Sequence, residues 1–318
     1  MDNLKPKVSI IGCGNVGMRY AYALIMKGFA RSVVITDMDK KRLEGEVMDL
    51  SHGAPYVSPV EIIAGDYPDI KGSDLVVITA GKKQKPGQTR LALVKDNVEI
   101  YRQIVSQVVK YAPSAILLVA TNPVDILSYA AYKFSSKPAN EVIGSGTVLD
   151  TARFRFLLAG HCKIDPHNVH AYILGEHGDS ESAIWSNANI GGVLFKSYCS
   201  MCGSNHSCRP EEELGKIFSE VRDSAYKIIE KKGETSYGIG LSLARITQAI
   251  LHDENAVLPV SSLITGYLEM REVYLSLPAV VNKNGIRETL KLELAKEEQE
   301  ALKKSANSIR GIIKEIGL

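Results

Sequence analysis

Residues 8–17 read Val8-Ser9-Ile10-Ile11-Gly12-Cys13-Gly14-Asn15-Val16-Gly17. A short apolar run, which predicts a strand, feeds directly into G-x-G-x-x-G, and the segment Met18 to Lys27 that follows has the length and pattern of a helix. In such a turn the glycines keep the chain tight, let backbone approach a pyrophosphate, and leave the helix N-terminus with free N–H groups and partial positive charge. Alone the motif is weak, since glycines also serve other strand-to-helix turns. Asp37 shifts the balance. It ends the second apolar run, twenty residues after Gly17, where a carboxylate accepts hydrogen bonds from both adenosine ribose hydroxyls and repels a 2′-phosphate. The expected cofactor is NAD rather than NADP, with Gly12, Gly14, Gly17 and Asp37 in its site.

Outward from this turn, Val33 to Thr36, Leu75 to Ala80, Ile116 to Thr121 and Val142 to Ile143 are too continuously apolar to keep one face in water. Helix-length segments lie between them, including Leu91 to Tyr111. This rhythm predicts an α/β fold of Rossmann type, a doubly wound parallel sheet, followed by an α+β substrate domain. The expected division is residues 1–144 for the dinucleotide and 145–318 for the substrate. Beyond it, Leu149 to Ala159 predicts a helix and Asn168 to Leu174 alternates as a strand. In Lys296 to Ile316, Leu302, Ala306, Ile309, Ile313 and Ile316 share one helix face.

With 318 residues, 45% hydrophobic and 23% charged, the chain can bury a sizeable core, which excludes disordered and disulfide-dense classes. Thirty-eight Lys and Arg against 36 Asp and Glu leave a net charge of +2, too little to grip a polyanion, so nucleic acid is not an expected partner. No hydrophobic signal core precedes the first strand, and no apolar stretch approaches the ~20 residues that cross a bilayer. The expected location is the cytoplasm, away from membranes, with the five cysteines reduced.

Four polar clusters interrupt the apolar pattern, at residues 84–90, 121–123, 150–153 and 175–179. When a nicotinamide carries the hydride, the protein must still supply a proton, a polarising charge and a clamp. A proton donor that changes charge near neutral pH points to His177, and a carboxylate that fixes its tautomer points to Asp150. A guanidinium that holds a substrate carboxylate bidentately points to Arg153, one helical turn from Asp150. The plainer alternative makes Asp150 and Arg153 a local helix ion pair and His177 a hydrogen-bonded turn residue.

Taken together, these stretches resemble the lactate/malate dehydrogenase family, and the match runs almost end to end. It rests on Gly12-Cys13-Gly14-Asn15-Val16-Gly17, Gly45-Glu46-Val47-Met48-Asp49-Leu50, Gln84-Lys85-Pro86-Gly87-Gln88-Thr89-Arg90, and Val119-Ala120-Thr121-Asn122-Pro123-Val124-Asp125. It continues through Leu149-Asp150-Thr151-Ala152-Arg153-Phe154-Arg155, Gly175-Glu176-His177-Gly178-Asp179 and Pro278-Ala279-Val280-Val281. The resemblance implies His177 as proton donor, Asp150 as its orienting partner, Arg153 as carboxylate clamp, Arg90 as the group that polarises the carbonyl, and Asn122 as a further donor. It also implies Thr235 in the pocket wall and Val16, Gly81, Thr121 and Asn122 at the cofactor. The loop from Gly81 to Arg90 would act as a lid that brings Arg90 over the carbonyl and expels water.

Malate dehydrogenases of the family carry an arginine where this chain has Gln84. A second substrate carboxylate left unpaired in a closing site would cost several kcal/mol, so the expected substrates are pyruvate and L-lactate. Malate dehydrogenase, a 2-hydroxyacid dehydrogenase of broader range, and an NAD-binding sensor without turnover are the alternatives. The expected arrangement is one imidazolium and two guanidinium groups around a small ketoacid, with no third cation awaiting another anionic end. Gly233-Glu234-Thr235-Ser236-Tyr237-Gly238 departs from the usual Gly-Ala-Thr-Tyr-Tyr-Gly type and leaves side-chain breadth open. Arg155 and His170 match positions that form a fructose 1,6-bisphosphate site between subunits in bacterial relatives; the alternative pairs Arg155 with an acid and buries His170. The family also implies a homotetramer. Cys199, Cys202, His206 and Cys208 carry metal-ligating chemistry at cramped spacing, and because the family has no metal there none is expected.

Overall fold

The computed structural model describes residues 6–82, 89–201 and 210–318, with the backbone but not the side chains of residues 90, 199–201 and 210–213. Gln84 and the segment that holds Cys202, His206 and Cys208 lie outside the described residues. In the first half, β1 (Lys7–Ile11), α1 (Asn15–Lys27), β2 (Ser32–Thr36), α2 (Lys40–His52), β3 (Glu61–Ala64), β4 (Leu75–Ile78), α3 (Arg90–Tyr111), β5 (Ile116–Val119), α4 (Val124–Ser135) and β6 (Val142–Gly144) follow one another. The second half holds α5 (Val148–Cys162), β7 (Val169–Leu174), β8 (Ser182–Ile190), β9 (Val193–Leu194), α6 (Phe195–Met201), α7 (Pro210–Lys232) and α8 (Tyr237–Leu251). It closes with β10 (Ala256–Thr265), β11 (Arg271–Asn282), β12 (Gly285–Thr289) and α9 (Lys296–Ile316).

Among the described residues nine strands form one sheet in the order β12-β11-β10-β6-β5-β4-β1-β2-β3. From β3 to β6 every pairing is parallel. The strands of this half are covered by helices on both sides, which is why β4 and β5 are buried at every residue. The order 3-2-1-4-5-6 reverses between β1 and β4, and in such sheets ligands bind outside the carboxyl ends of the strands at that reversal.

The sheet does not stop at residue 144. Ser261 of β10 pairs antiparallel with Gly144 of β6, and β11 and β12 extend the edge. A second sheet, β7-β8-β9, stands apart. Gly175 and Ser276 tie the two together by exchanging N–H···O bonds of 3.1 and 3.0 Å. This bridge anchors the segment that carries His177 to β11. Helix α9 lays Leu302, Ala306, Ile309 and Ile313 into the core, with Ile316 half-buried at its end. No helix among the described residues is long and apolar enough to cross a membrane.

Candidate active site

The glycine-rich turn is built by steric demand. At Gly12 φ is +115°, and a Cβ there would stand 2.7 Å from the Ala80 backbone nitrogen; a Cβ on Gly17 would stand 2.0 Å from the Gly12 carbonyl oxygen. Gly14 differs, because a Cβ there would meet nothing within 4 Å. It caps α1 without a side chain to occupy the helix's first N–H groups, so the positive end of the helix opens into free space. Asp37 braces the turn: its two carboxylate oxygens accept from Cys13 N (2.7 Å) and Asp39 N (3.0 Å). Burial opposes the charge of Asp37, but these backbone donors together hold its carboxyl below the usual range.

A cavity of about 850 Å³ lies at this end of the sheet, with Gly12, Gly14, Asp37, Thr79 and Gly81 in its wall. Its size suits an extended organic ligand. The open space before Gly14 fits a pyrophosphate, and the lone pairs that Asp37 retains fit a ribose diol, so the residues present fit NAD. Gly81 has no room for a side chain, since a Cβ would fall 2.3 Å from Thr121 Cγ2. Thr121 donates its hydroxyl to the Ala80 carbonyl (2.8 Å), a contact that holds the turn.

A second cavity, of about 430 Å³, brings together Val16, Asn122, Asp150, Arg153, His177 and Thr235. Asp150 and Arg153 both come from the first turns of α5, three residues apart. Arg153 donates to Asp150 Oδ1 (2.8 Å) and His177 Nδ1 lies 2.6 Å from Asp150 Oδ2. The helix ion pair and the histidine–carboxylate contact thus share one carboxylate. Burial works against the charge of Asp150, yet His177 and Arg153 outweigh it and keep its carboxyl low. Burial likewise works against the charge of His177, but Asp150 first, then Asp125 and Glu181, overcome it and raise the imidazole from 6.5 to about 9.

Several residues that serve this site escaped the sequence reading. Asp125 is buried; its Oδ2 accepts the His177 backbone N–H (2.8 Å) and its Oδ1 accepts the Ser261 hydroxyl (2.5 Å), pinning the histidine loop to α4 and β10. Burial raises Asp125 to about 6. Asp125 ends a quoted motif, and a carboxylate inside an apolar helix pattern was the available signal. Asn97, fully buried on α3, receives Lys82 N–H on its Oδ1 (2.8 Å) and donates to the Asn122 carbonyl (3.5 Å), linking the segment after β4 to the turn before α4.

Arg222 of α7 also lines the second cavity. The cavity wall thus holds a guanidinium that the sequence reading did not name, because α7 is distant in sequence. Its Nε lies 3.6 Å from Asp223 Oδ1. The charged Glu234 turns onto the Ser236 hydroxyl (2.9 Å) and toward Lys232 (3.9 Å), leaving Thr235 to line the cavity. Arg155 donates to the carbonyls of Pro166 (3.2 Å) and His167 (3.4 Å), and His170 is exposed on β7. Neither the acid partner nor the burial expected in the plainer alternative is present among the described residues.

Fold and cavities together define a dinucleotide-binding protein of the doubly wound class with a histidine–carboxylate–arginine site beside the cofactor cleft. Residues 6–144 match the family model for the lactate/malate dehydrogenase NAD binding domain, and residues 147–317 that for its alpha/beta C-terminal domain. The chain belongs to the lactate/malate dehydrogenase family. It is 51% identical over 312 residues to an L-lactate dehydrogenase of Thermoanaerobacter sp., covering 98% of this chain and 99% of that protein. It is 50% identical over 320 residues to one of Acetivibrio thermocellus, covering 100% of both. A lactate dehydrogenase from a Medee basin deep-sea metagenome library superposes with a TM-score of 0.94 at 46% identity, over 99% of each chain. A minor L-lactate dehydrogenase from Enterococcus mundtii in a ligands-bound form superposes with a TM-score of 0.94 at 41% identity, again over 99% of each.

Proposed function

We propose that this chain is an NAD-dependent L-lactate dehydrogenase that reduces pyruvate to L-lactate and catalyses the reverse reaction. The observation that carries the reading is the one cavity in which His177, paired with Asp150, faces the same space as Arg153. Bound NADH supplies the hydride. His177 donates its proton to the carbonyl oxygen as the alkoxide forms, and Asp150 stabilises the imidazolium before transfer and fixes its orientation. Arg153 has five N–H donors and gives one to Asp150, so others are free to grip the substrate carboxylate. Arg90 polarises the carbonyl from the first turn of α3, Asn122 adds a donor, and Thr235 with Val16 limits the side chain.

Gln84 would meet the substrate methyl group, which needs no counter-charge. The presence of Arg222 favours a second reading, in which an anionic distal end is accepted and oxaloacetate or a broader range of 2-oxo acids is reduced. Steady-state loss of NADH absorbance with pyruvate and with oxaloacetate separates the two. We expect pyruvate to be strongly preferred; a preference for oxaloacetate overturns the substrate, and binding of NADH without turnover of either overturns the enzyme.

The finer assignments belong to the same proposal: an NAD-binding domain at 1–144, a substrate domain at 145–318, and a cytoplasmic homotetramer. Exposed Tyr22 and Met26 on α1 and Tyr237 and Leu241 on the adjoining α8, each more than half accessible, support self-association. Arg155 and His170, repeated across a two-fold axis, would repel until a fructose 1,6-bisphosphate bridges them.

A further inference from the structure

Glu181 ends the loop that carries His177, and its N–H donates to the Gly178 carbonyl (3.1 Å). It is 7% exposed and lines the substrate cavity. One carboxylate oxygen of Glu181, one of Asp150 and a ring nitrogen of His177 lie within 4.8 Å of one another. Glu181 Oε1 is buried and, among the described residues, has no hydrogen-bond partner. Both oxygens of Asp150 are already taken, by Arg153 and by His177. The groups that face Glu181 are Asp150 and Arg153 from α5, His177 from its own loop, and Arg222 from α7. A metal ion bridging the three ligand atoms would meet both guanidinium groups; a proton relieves the crowding of the carboxyls at no such cost.

We propose that Glu181 is a positioning residue of the proton relay, a carboxyl packed against the Asp150–His177 pair whose charge state sets where the histidine yields its proton. Burial and then the Asp150 charge push the Glu181 carboxyl up to about 8, against the pull of His177, Arg153 and Arg222. As pH rises past this point, the new carboxylate stabilises the imidazolium and extends the protonated state of His177 to higher pH. Two carboxyls and one imidazole then titrate as a unit, with Arg222 moderating the outer member.

The inference rests on the proposed reduction of pyruvate, and its test separates the two. Pyruvate reduction is measured from pH 6 to 10 for the wild-type protein, Glu181→Gln and Glu181→Asp. The alkaline limb of Glu181→Gln is expected to move down by roughly one pH unit, the size of a partly screened charge at this spacing, while Glu181→Asp stays nearer the wild type. Superimposable limbs for wild type and Glu181→Gln overturn the proposal. Infrared difference spectra of the wild-type chain between pH 7 and 9.5 need neither turnover nor a folded variant. A buried carboxylic-acid band that disappears on raising the pH is expected, and its absence overturns the proposal. Failure of the wild type to turn over pyruvate overturns the proposed function alone.

Discussion

Replacing Asp150 with Asn removes the largest charge that keeps His177 protonated while leaving the side chain's size unchanged. With the imidazole raised from 6.5 to about 9, about 97% of His177 is imidazolium at pH 7.5; at its ordinary value about 9% would be. A fall to the ordinary value would by protonation alone cost about tenfold in pyruvate reduction at pH 7.5 and less than twofold at pH 6. Loss of the 2.6 Å contact that orients the ring adds a pH-independent factor. Steady-state kcat/KM for pyruvate from pH 6 to 9.5 resolves the two components. The alkaline limb of Asp150→Asn should move from about 9 toward 6.5, so that the deficit grows with pH. A uniform deficit across the range, with the limb unmoved, would refute the claim that the carboxylate acts by holding the proton on His177.

The glycine geometry gives a paired test: Gly17→Ala forces a Cβ to 2.0 Å from a carbonyl oxygen and should destabilise the fold by ~2 kcal/mol or more, whereas Gly14→Ala should leave the melting temperature unchanged and raise KM for NADH. Equal effects in both assays would contradict it. Gln84→Arg should shift the ratio of kcat/KM values toward oxaloacetate by at least tenfold, and an unchanged ratio would count against the methyl-facing role of Gln84. His177 binds its proton more tightly folded than unfolded, so its contribution to stability is complete below pH 6.5 and is lost as pH rises through about 9. Melting curves should fall across that window more steeply in the wild type than in His177→Gln, and parallel curves would contradict the linkage. Activity at sub-saturating pyruvate should rise on adding fructose 1,6-bisphosphate and stay flat in Arg155→Gln; a flat wild-type response removes the effector.

Much of this was legible in the sequence because burial on both faces writes itself as an unbroken apolar run. β1, β2, β4, β5 and β6 were all visible that way, and α9 by its three-and-four spacing. β3 was missed: it is four residues long at the sheet edge, with both ends exposed. The extension by β10 to β12 was missed as well. Pro259 and Pro278 sit opposite each other inside that ladder, and proline argues against a strand reading. At the site, His177, Asp150 and Arg153 could be read because each has a chemical task that few residue types perform. Asn97, Glu181 and Arg222 could not, because their tasks depend on contacts between α3, the histidine loop and α7 that no local spacing encodes; Asp125 left only the signal of a carboxylate in an apolar helix pattern. Glu234 stands beside the cavity wall in sequence, but its Oε1 accepts from Ser236 and faces Lys232, and Thr235 is the residue of this turn that lines the cavity.

A crystal structure of the protein with NADH and a non-reducible pyruvate analogue tests the central claim most directly. The account places the analogue's carboxylate on Arg153 and its carbonyl-equivalent oxygen within hydrogen-bonding distance of His177 Nε2, facing the nicotinamide, with Arg222 making no contact. An analogue seated on Arg222, or a His177 ring turned away from it, would contradict the account.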